Sequence, residues 1–341
     1  MKLNAGSLRA MLRSLLLATG VCAAVGAQAQ NPAYVVRLGS PTMNDTVHHW
    51  MKLFKEGVEK RSEGKMRIDL FPASQLGPIP RQIEAVQFGA QEMYTVPPEF
   101  LAGIDKRFMV VSAPLLFDNM EHGFRTVQDP EFSKIVFELG ADKGILGISM
   151  FCADPTSYTF TSGLKSYKDV AGRKIRIFAS DMERETIQRF GATGVPMSLG
   201  EVLPALQQGV VDGARTTVSI FNAFKFYGSA KYLLKTEESM VCPLQFVSRQ
   251  WFETLPQDMQ GIVLEEAKAA DLKTHEFALS FLEQNYKSWV DNGGEIVELT
   301  PQERDEMSRQ LKDVGDAVTG KDSATADIYR KVREIADRTR Q

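Results

Sequence analysis

Residues Gly172–Gly213 read GRKIRIFASDMERETIQRFGATGVPMSLGEVLPALQQGVVDG. Lys174–Phe178 alternates as a short strand, with Ile175 and Ile177 on one face and Lys174, Arg176 and Phe178 on the other. Ser180 follows as an N-cap, and Glu183 three residues on completes a capping box for a helix carrying Ile187 and Phe190. Arg176 therefore sits at the carboxyl end of a strand that feeds a helix. In open α/β sheets that edge is where ligands bind. A guanidinium placed there offers a planar fork of donors matched to a carboxylate. On residue type alone, a solvated arginine at a strand end is the commoner outcome.

Strands alternate with helices on both sides of this stretch. Tyr34–Leu38 reads as a strand, and Asn44 or Asp45 caps a helix whose apolar stripe is Trp50, Leu53, Phe54 and Val58. Met66–Phe71 is the next strand. A helix around Arg81–Phe88 leads to a strand over Glu92–Val96, stopped by Pro97-Pro98. This βαβαβ rhythm implies a doubly wound α/β fold with largely parallel pairing. Gly144–Phe151 is a near-continuous apolar run, expected of a strand buried on both faces, and a hairpin is expected near Ser157–Lys165. Ser198 and Glu201 form a second capping box, but Pro204 lies beyond the first turn and argues for a later helix start. From Pro256 to Asn292 nothing but Gly261 interrupts one very long helix, which Asn292-Gly293-Gly294 ends. Glu295–Leu299 is a short strand, and Thr300-Pro301-Gln302-Glu303 opens further helices.

The first 29 residues form a secretory signal. Lys2, Arg9 and Arg13 precede a short apolar core, and Ala27-Gln28-Ala29 sets cleavage after Ala29. About 310 residues remain, enough for two domains. All 43 acidic residues and 37 of the 40 basic ones lie beyond the signal, so the mature chain is near −6 and nucleic acid is not an expected partner. Cys152 and Cys242 remain after cleavage. Export permits a disulfide, but two buried free thiols are the expected state. The four histidines lack metal-site spacing, and there is no Walker loop, dinucleotide fingerprint or G-x-S-x-G elbow. No cofactor or metal is expected.

The runs KIRI, GATGVPM and EVLPALQQGVVDG, in this order, resemble the substrate-binding proteins of TRAP (tripartite ATP-independent periplasmic) transporters, the DctP-type family. The likeness continues through Lys225–Leu233, Ser248–Pro256 and back to Gly57–Gly77. It implies a two-lobed type II periplasmic binding protein fold, with mixed sheets flanked by helices and a long helix spanning both lobes. Lobe I would comprise residues 31–152 and 242–281, and lobe II residues 153–241 and 282–341. The implied function is a periplasmic, monomeric, non-enzymatic receptor that delivers an organic acid anion to TRAP membrane subunits. A secreted α/β enzyme acting on a carboxylate substrate, and a sensor docking on a membrane receptor, are the alternatives.

The resemblance also implies a pocket. Arg176 falls on the arginine that salt-bridges the ligand carboxylate in that family. Tyr158 falls where many members have a second arginine. Thr216 falls on an asparagine, Leu199 on a phenylalanine, Pro97 on a polar site and Arg215 on a glutamate. Tyr94, on the third strand, is counted with the pocket. Phe178, Phe221 and Phe246 are either further walls or ordinary core. Arg215 is either a second carboxylate clamp or a partner of Asp212. His48 and His49 follow the first strand at the mouth of the expected cleft, as ligand contacts or as surface residues. With one arginine end lost, the expected ligand is a monocarboxylate with an apolar or aromatic body. A hydroxyl-rich sugar acid would leave buried polar groups unmet at about 1–3 kcal/mol each.

Overall fold

The computed structural model describes residues 32–340; the signal segment read over residues 1–29 lies outside them. Thirteen strands occur among the described residues: β1 (Tyr34–Gly39), β2 (Met66–Phe71), β3 (Met93–Val96), β4 (Ile145–Met150), β5 (Asp154–Pro155), β6 (Ser157–Phe160), β7 (Lys174–Ile177), β8 (Thr193–Pro196), β9 (Gly213–Thr216), β10 (Tyr232–Lys235), β11 (Met240–Val241), β12 (Leu244–Ser248) and β13 (Glu295–Glu298). They form a five-stranded sheet, β2-β1-β3-β12-β4, and a six-stranded sheet, β13-β10-β6-β9-β7-β8. The first sheet is parallel through β2-β1-β3, and β12 runs antiparallel to both β3 and β4. The second is parallel at β13-β10 and β9-β7-β8 and antiparallel at β10-β6-β9. Each sheet is therefore the mixed centre of one lobe.

The chain passes between the sheets through β5 and returns through β11. These two short strands pair antiparallel with each other, Met240 opposite Pro155 and Val241 opposite Asp154. Their pairing draws the flanking residues together, and Cys152 and Cys242 are joined by a disulfide. The expectation of two free thiols is corrected. A sequence separation of 90 hides a contact that the paired crossovers create.

The third link is the long helix, Gln257–Asp291. Its first half supplies Met259, Val263, Ala267 and Ala270 to the core that holds Trp50, Phe54 and Val36. Its last turns supply Tyr286 and Trp289 to the core that holds Phe221 and Phe226. The helix stops at Gly293, whose φ of +85° suits glycine. Gly294 follows, where a Cβ would come within 2.3 Å of Trp289 Nε1.

Two local expectations change. The Ser157–Lys165 stretch is no hairpin: β6 pairs with β9 and β10, both far along the chain. Alternation reveals a strand but not its neighbour. The helix carrying Pro204 does not start late. It runs Leu199–Gln207 behind a complete Ser198/Glu201 capping box, with the proline inside it.

Candidate functional site

A cavity lies where the two lobes meet. Its walls come from the loop and helix start after β1 (Thr42, Asp45, Thr46), from the end of β3 and the turn beyond it (Pro97, Phe100), and from β7, β9 and the residues that follow them. It encloses about 560 Å³ of space free of protein atoms, its open mouth included. Phe100, Phe178, Leu199, Pro97 and Val96 make much of the lining apolar.

Arg176 is the positive charge in this lining, and it is 1% exposed. Its Nε donates to the Met197 carbonyl at 3.0 Å and its Nη1 to the Arg215 carbonyl at 3.2 Å. Its Nη2 is buried without a partner. The guanidinium lies over the Phe178 ring, 4.8 Å from the centroid. That contact follows from the alternation along β7, which puts residues 176 and 178 on one face. Among the described residues no carboxylate stands within ion-pair distance of Arg176. Burial pushes its pKa down to about 10, against the nearby charge of Glu183, which holds it up. A buried cation lacking its anion is costly, and the two N–H groups of the unpartnered Nη2 are a built-in invitation to a carboxylate.

Arg215 is also buried, but its environment is different. It pairs with Glu183 and, at 3.0 Å through Nε, with Glu238. Glu238 in turn accepts from Tyr158 Oη at 2.8 Å and from Thr156 Oγ1 at 2.7 Å. Arg215 is thus neither a free carboxylate clamp nor a partner of Asp212, whose Oδ2 accepts from the Lys174 N–H at 2.7 Å. Glu183 departs from its expected cap role too. Its backbone N–H donates to Ser180 Oγ at 3.2 Å, but its carboxylate accepts from the Phe178 N–H and holds Arg215.

Strand register explains which expected residues reach the cavity. Arg176 stands opposite Ala214 in the β7-β9 ladder, so Arg215 points to the other face, which it shares with its β6 neighbour Tyr158. Arg176, Phe178, Leu199, Thr216 and Pro97 line the cavity. Tyr158 and Arg215 lie in the charged core instead. Tyr94 and Phe246 are cross-strand neighbours packed edge to face, 6.0 Å between centroids, inside the first lobe. Phe221 packs on Trp289 and Phe226. His48 Nδ1 accepts from the Asn44 N–H at 3.1 Å, and His49 stacks on Phe277 of the long helix. None of these seven lines the cavity.

Sequence reasoning missed Phe100, Thr42, Thr46, Thr217 and Ser219, and it saw Asp45 only as a helix cap. Asp45 is an N-cap, accepting from the His48 N–H at 2.9 Å, and it also faces the cavity. The available signal was its place just beyond the carboxyl end of β1, the same sheet edge that singled out Arg176. Deeper in, Asp154 accepts from Ser219 Oγ and keeps Oδ1 unpartnered; burial raises its pKa to about 7. Glu99, on the turn Pro98–Leu101, has Oε2 unpartnered, and burial with the charge of Glu183 raises it to about 8.

With this geometry in hand, similarity to known proteins can be placed on it. Residues 39–321 match the family described as bacterial extracellular solute-binding protein, family 7. The C4-dicarboxylate-binding periplasmic protein DctP of Rhodobacter capsulatus is 26% identical over 312 residues, covering 90% of this chain and 93% of that one. A TRAP periplasmic solute-binding protein of Desulfovibrio salexigens, solved with bound orotic acid, superposes with a TM-score of 0.85 at 21% identity, over 90% of this chain and all of that one. Another, from Xanthobacter autotrophicus with bound β-D-galacturonate, gives 0.80 at 22% identity, over 88% and 99%.

Proposed function

The chain belongs to family 7 of the bacterial extracellular solute-binding proteins, a family of receptors and not of enzymes, and on that premise we propose that it binds a monocarboxylate with a flat apolar or aromatic body between its lobes. The observation that carries this reading is Arg176, buried in an apolar cavity with its Nη2 unpartnered and no carboxylate beside it. A ligand carboxylate supplies the missing anion. The second buried arginine is already neutralised by Glu183 and Glu238, so a second ligand carboxylate finds no cation there. Phe178, Phe100, Leu199 and Pro97 favour a flat hydrophobic body over a hydroxyl-rich ring. Relatives span the neighbouring choices, since those above carry orotate or galacturonate or are named for C4-dicarboxylates.

The two-lobed fold supports a wider reading. After export and cleavage at Ala29, the protein acts as a periplasmic monomer. Its lobes, residues 31–152 with 242–281 and residues 153–241 with 282–341, close about the β5 and β11 crossovers on the ligand. The closed form then delivers the ligand to TRAP membrane subunits. A thermal-shift screen of organic acids tests the ligand class. Aromatic and apolar monocarboxylates are expected to raise Tm most, because they stabilise the folded form alone. A screen in which only uronates or C4-dicarboxylates raise Tm overturns it.

A further inference from the structure

Besides apolar walls, the first lobe contributes to the cavity a cluster of polar groups that the carboxylate reading leaves unused. Asp45 is 4% exposed, and its Oδ1 is held by the His48 N–H. Among the described residues no cation pairs with it. Thr42 and Thr46 line the same end, both buried, and neither Oγ1 has a hydrogen-bond partner. Ser40 Oγ donates to the Thr42 carbonyl at 2.8 Å, so the loop carrying this group is fixed. From the second lobe come Thr217 and Ser219, whose hydroxyls lie 3.1 Å apart. The Ser219 proton is committed to Asp154, which leaves its oxygen as an acceptor. Two buried carboxylates thus stand behind this end of the cavity with few protons to share between them. Burial pushes the Asp45 carboxyl up, although the nearby Thr42 hydroxyl and the His48 N–H hold it back.

Building on the ligand class proposed above, we infer that Asp45, with Thr42 and Thr46, forms an acceptor subsite that selects carboxylates bearing an N–H or O–H donor on the end of the body distal to the carboxylate. Arg176 follows β7 in the second lobe, and Asp45 follows β1 in the first. A ligand that satisfies both is gripped from both sides, with its anionic end on one lobe and its donor on the other. An acceptor subsite discriminates sharply, because an isostere lacking the donor desolvates Asp45 and returns nothing. The apolar walls alone discriminate weakly between bodies of equal size.

Calorimetry with benzoate, its 3- and 4-hydroxy derivatives and its 3- and 4-methyl derivatives tests the inference. One hydroxy isomer is expected to bind at least about tenfold more tightly than the methyl isomer of the same position. Asp45→Ser keeps the helix cap but withdraws the carboxylate. It is expected to shrink that preference to about threefold or less, in part by tightening methylbenzoate binding, which no longer desolvates a carboxylate. Equal binding of hydroxy and methyl isomers to the wild type, or a preference that survives in Asp45→Ser, overturns the acceptor subsite. Arg176→Ala separates this from the reading beneath it. If benzoate binding survives that change, the carboxylate site is wrong whatever Asp45 does. If no member of the panel binds the folded wild type, the ligand class falls and the subsite falls with it.

Discussion

Two arginines, on neighbouring strands of one sheet, are equally buried and differ in nearly everything else. Arg215 faces the helix-covered side, where Glu183 and Glu238 meet its guanidinium and a ring of hydroxyls satisfies the second carboxylate. Arg176 faces the cavity, where two backbone carbonyls take two of its five N–H groups and Nη2 is left without a partner. Their basicities diverge for the same reason. Burial opposes the charge on both; at Arg215 the two carboxylates more than offset it, and at Arg176 the charge of Glu183 offsets it only in part, so it falls to about 10. The comparison teaches that burial does not make an arginine a ligand site. Incomplete pairing does, and that is decided by which face of the strand the residue occupies.

The sharpest way to break the contrast is to remove Arg215. Arg215→Met leaves Glu183 and Glu238 buried without their cation. Stripping one partner from such a network is expected to cost about 3–5 kcal/mol of folding stability. Chemical denaturation followed by circular dichroism measures it. A loss under about 1 kcal/mol would mean that water reaches these carboxylates and that Arg215 is not structural.

Arg176 should show the converse pattern. Arg176→Ala is expected to weaken binding of an aromatic monocarboxylate by about 2–5 kcal/mol, since it leaves the ligand anion buried and unpaired. Arg176→Lys is expected to recover only part of this, because an ammonium cannot reproduce the planar fork. Both variants should fold, because the residue neutralises no carboxylate within ion-pair range. Calorimetry gives the affinities and thermal melts give the control. A variant that binds as the wild type does but unfolds far more easily would reverse the roles assigned to the two arginines.

Much of this was legible in the sequence. The alternation of Lys174–Phe178 put Arg176 and Phe178 on one face, and the cavity confirms that grouping. The long helix was read almost to its ends, since nothing between Pro256 and Asn292 but Gly261 breaks it. What could not be read was register between strands. The resemblance puts Tyr158 and Arg215 in the pocket, on positions that carry an arginine and a glutamate in the family. The ladder sets Tyr158 opposite Arg215 and sets Arg176 opposite Ala214, and this one-residue offset moves both side chains into the core. Glu183 was hidden for a related reason. As the third helical residue after a serine it satisfies a local rule, so its long-range bond to Arg215 left no local trace. The disulfide failed in the same way, as a contact made by paired crossovers far apart in the chain.

The smallest expected effect concerns Glu99, the buried carboxyl that shares the surroundings of Glu183 but lacks a full partner. Burial first, and then the negative charge of Glu183, raise Glu99 to about 8, with Arg215 pulling the other way. Burial likewise raises Asp271 to about 8 and Asp154 to about 7. Between about pH 4 and pH 8 the folded chain therefore holds protons that the unfolded chain has released. Unfolding in that window sheds protons, so stability falls as pH rises and levels off above pH 8. Glu238 behaves oppositely, because Arg215 and three hydroxyls hold its pKa below the usual range despite burial. Its stabilisation is lost only as pH falls through that lowered value, below this window. Tm is thus expected to be higher at pH 5.5 than at pH 8. Glu99→Gln, which carries no titrating proton, is expected to flatten the slope by up to about 1.4 kcal/mol per pH unit within the window. Thermal melts of both proteins from pH 5 to pH 9 measure it. Parallel curves would show that Glu99 is ionised throughout and that the charge of Arg215 extends further than its two hydrogen-bonded partners.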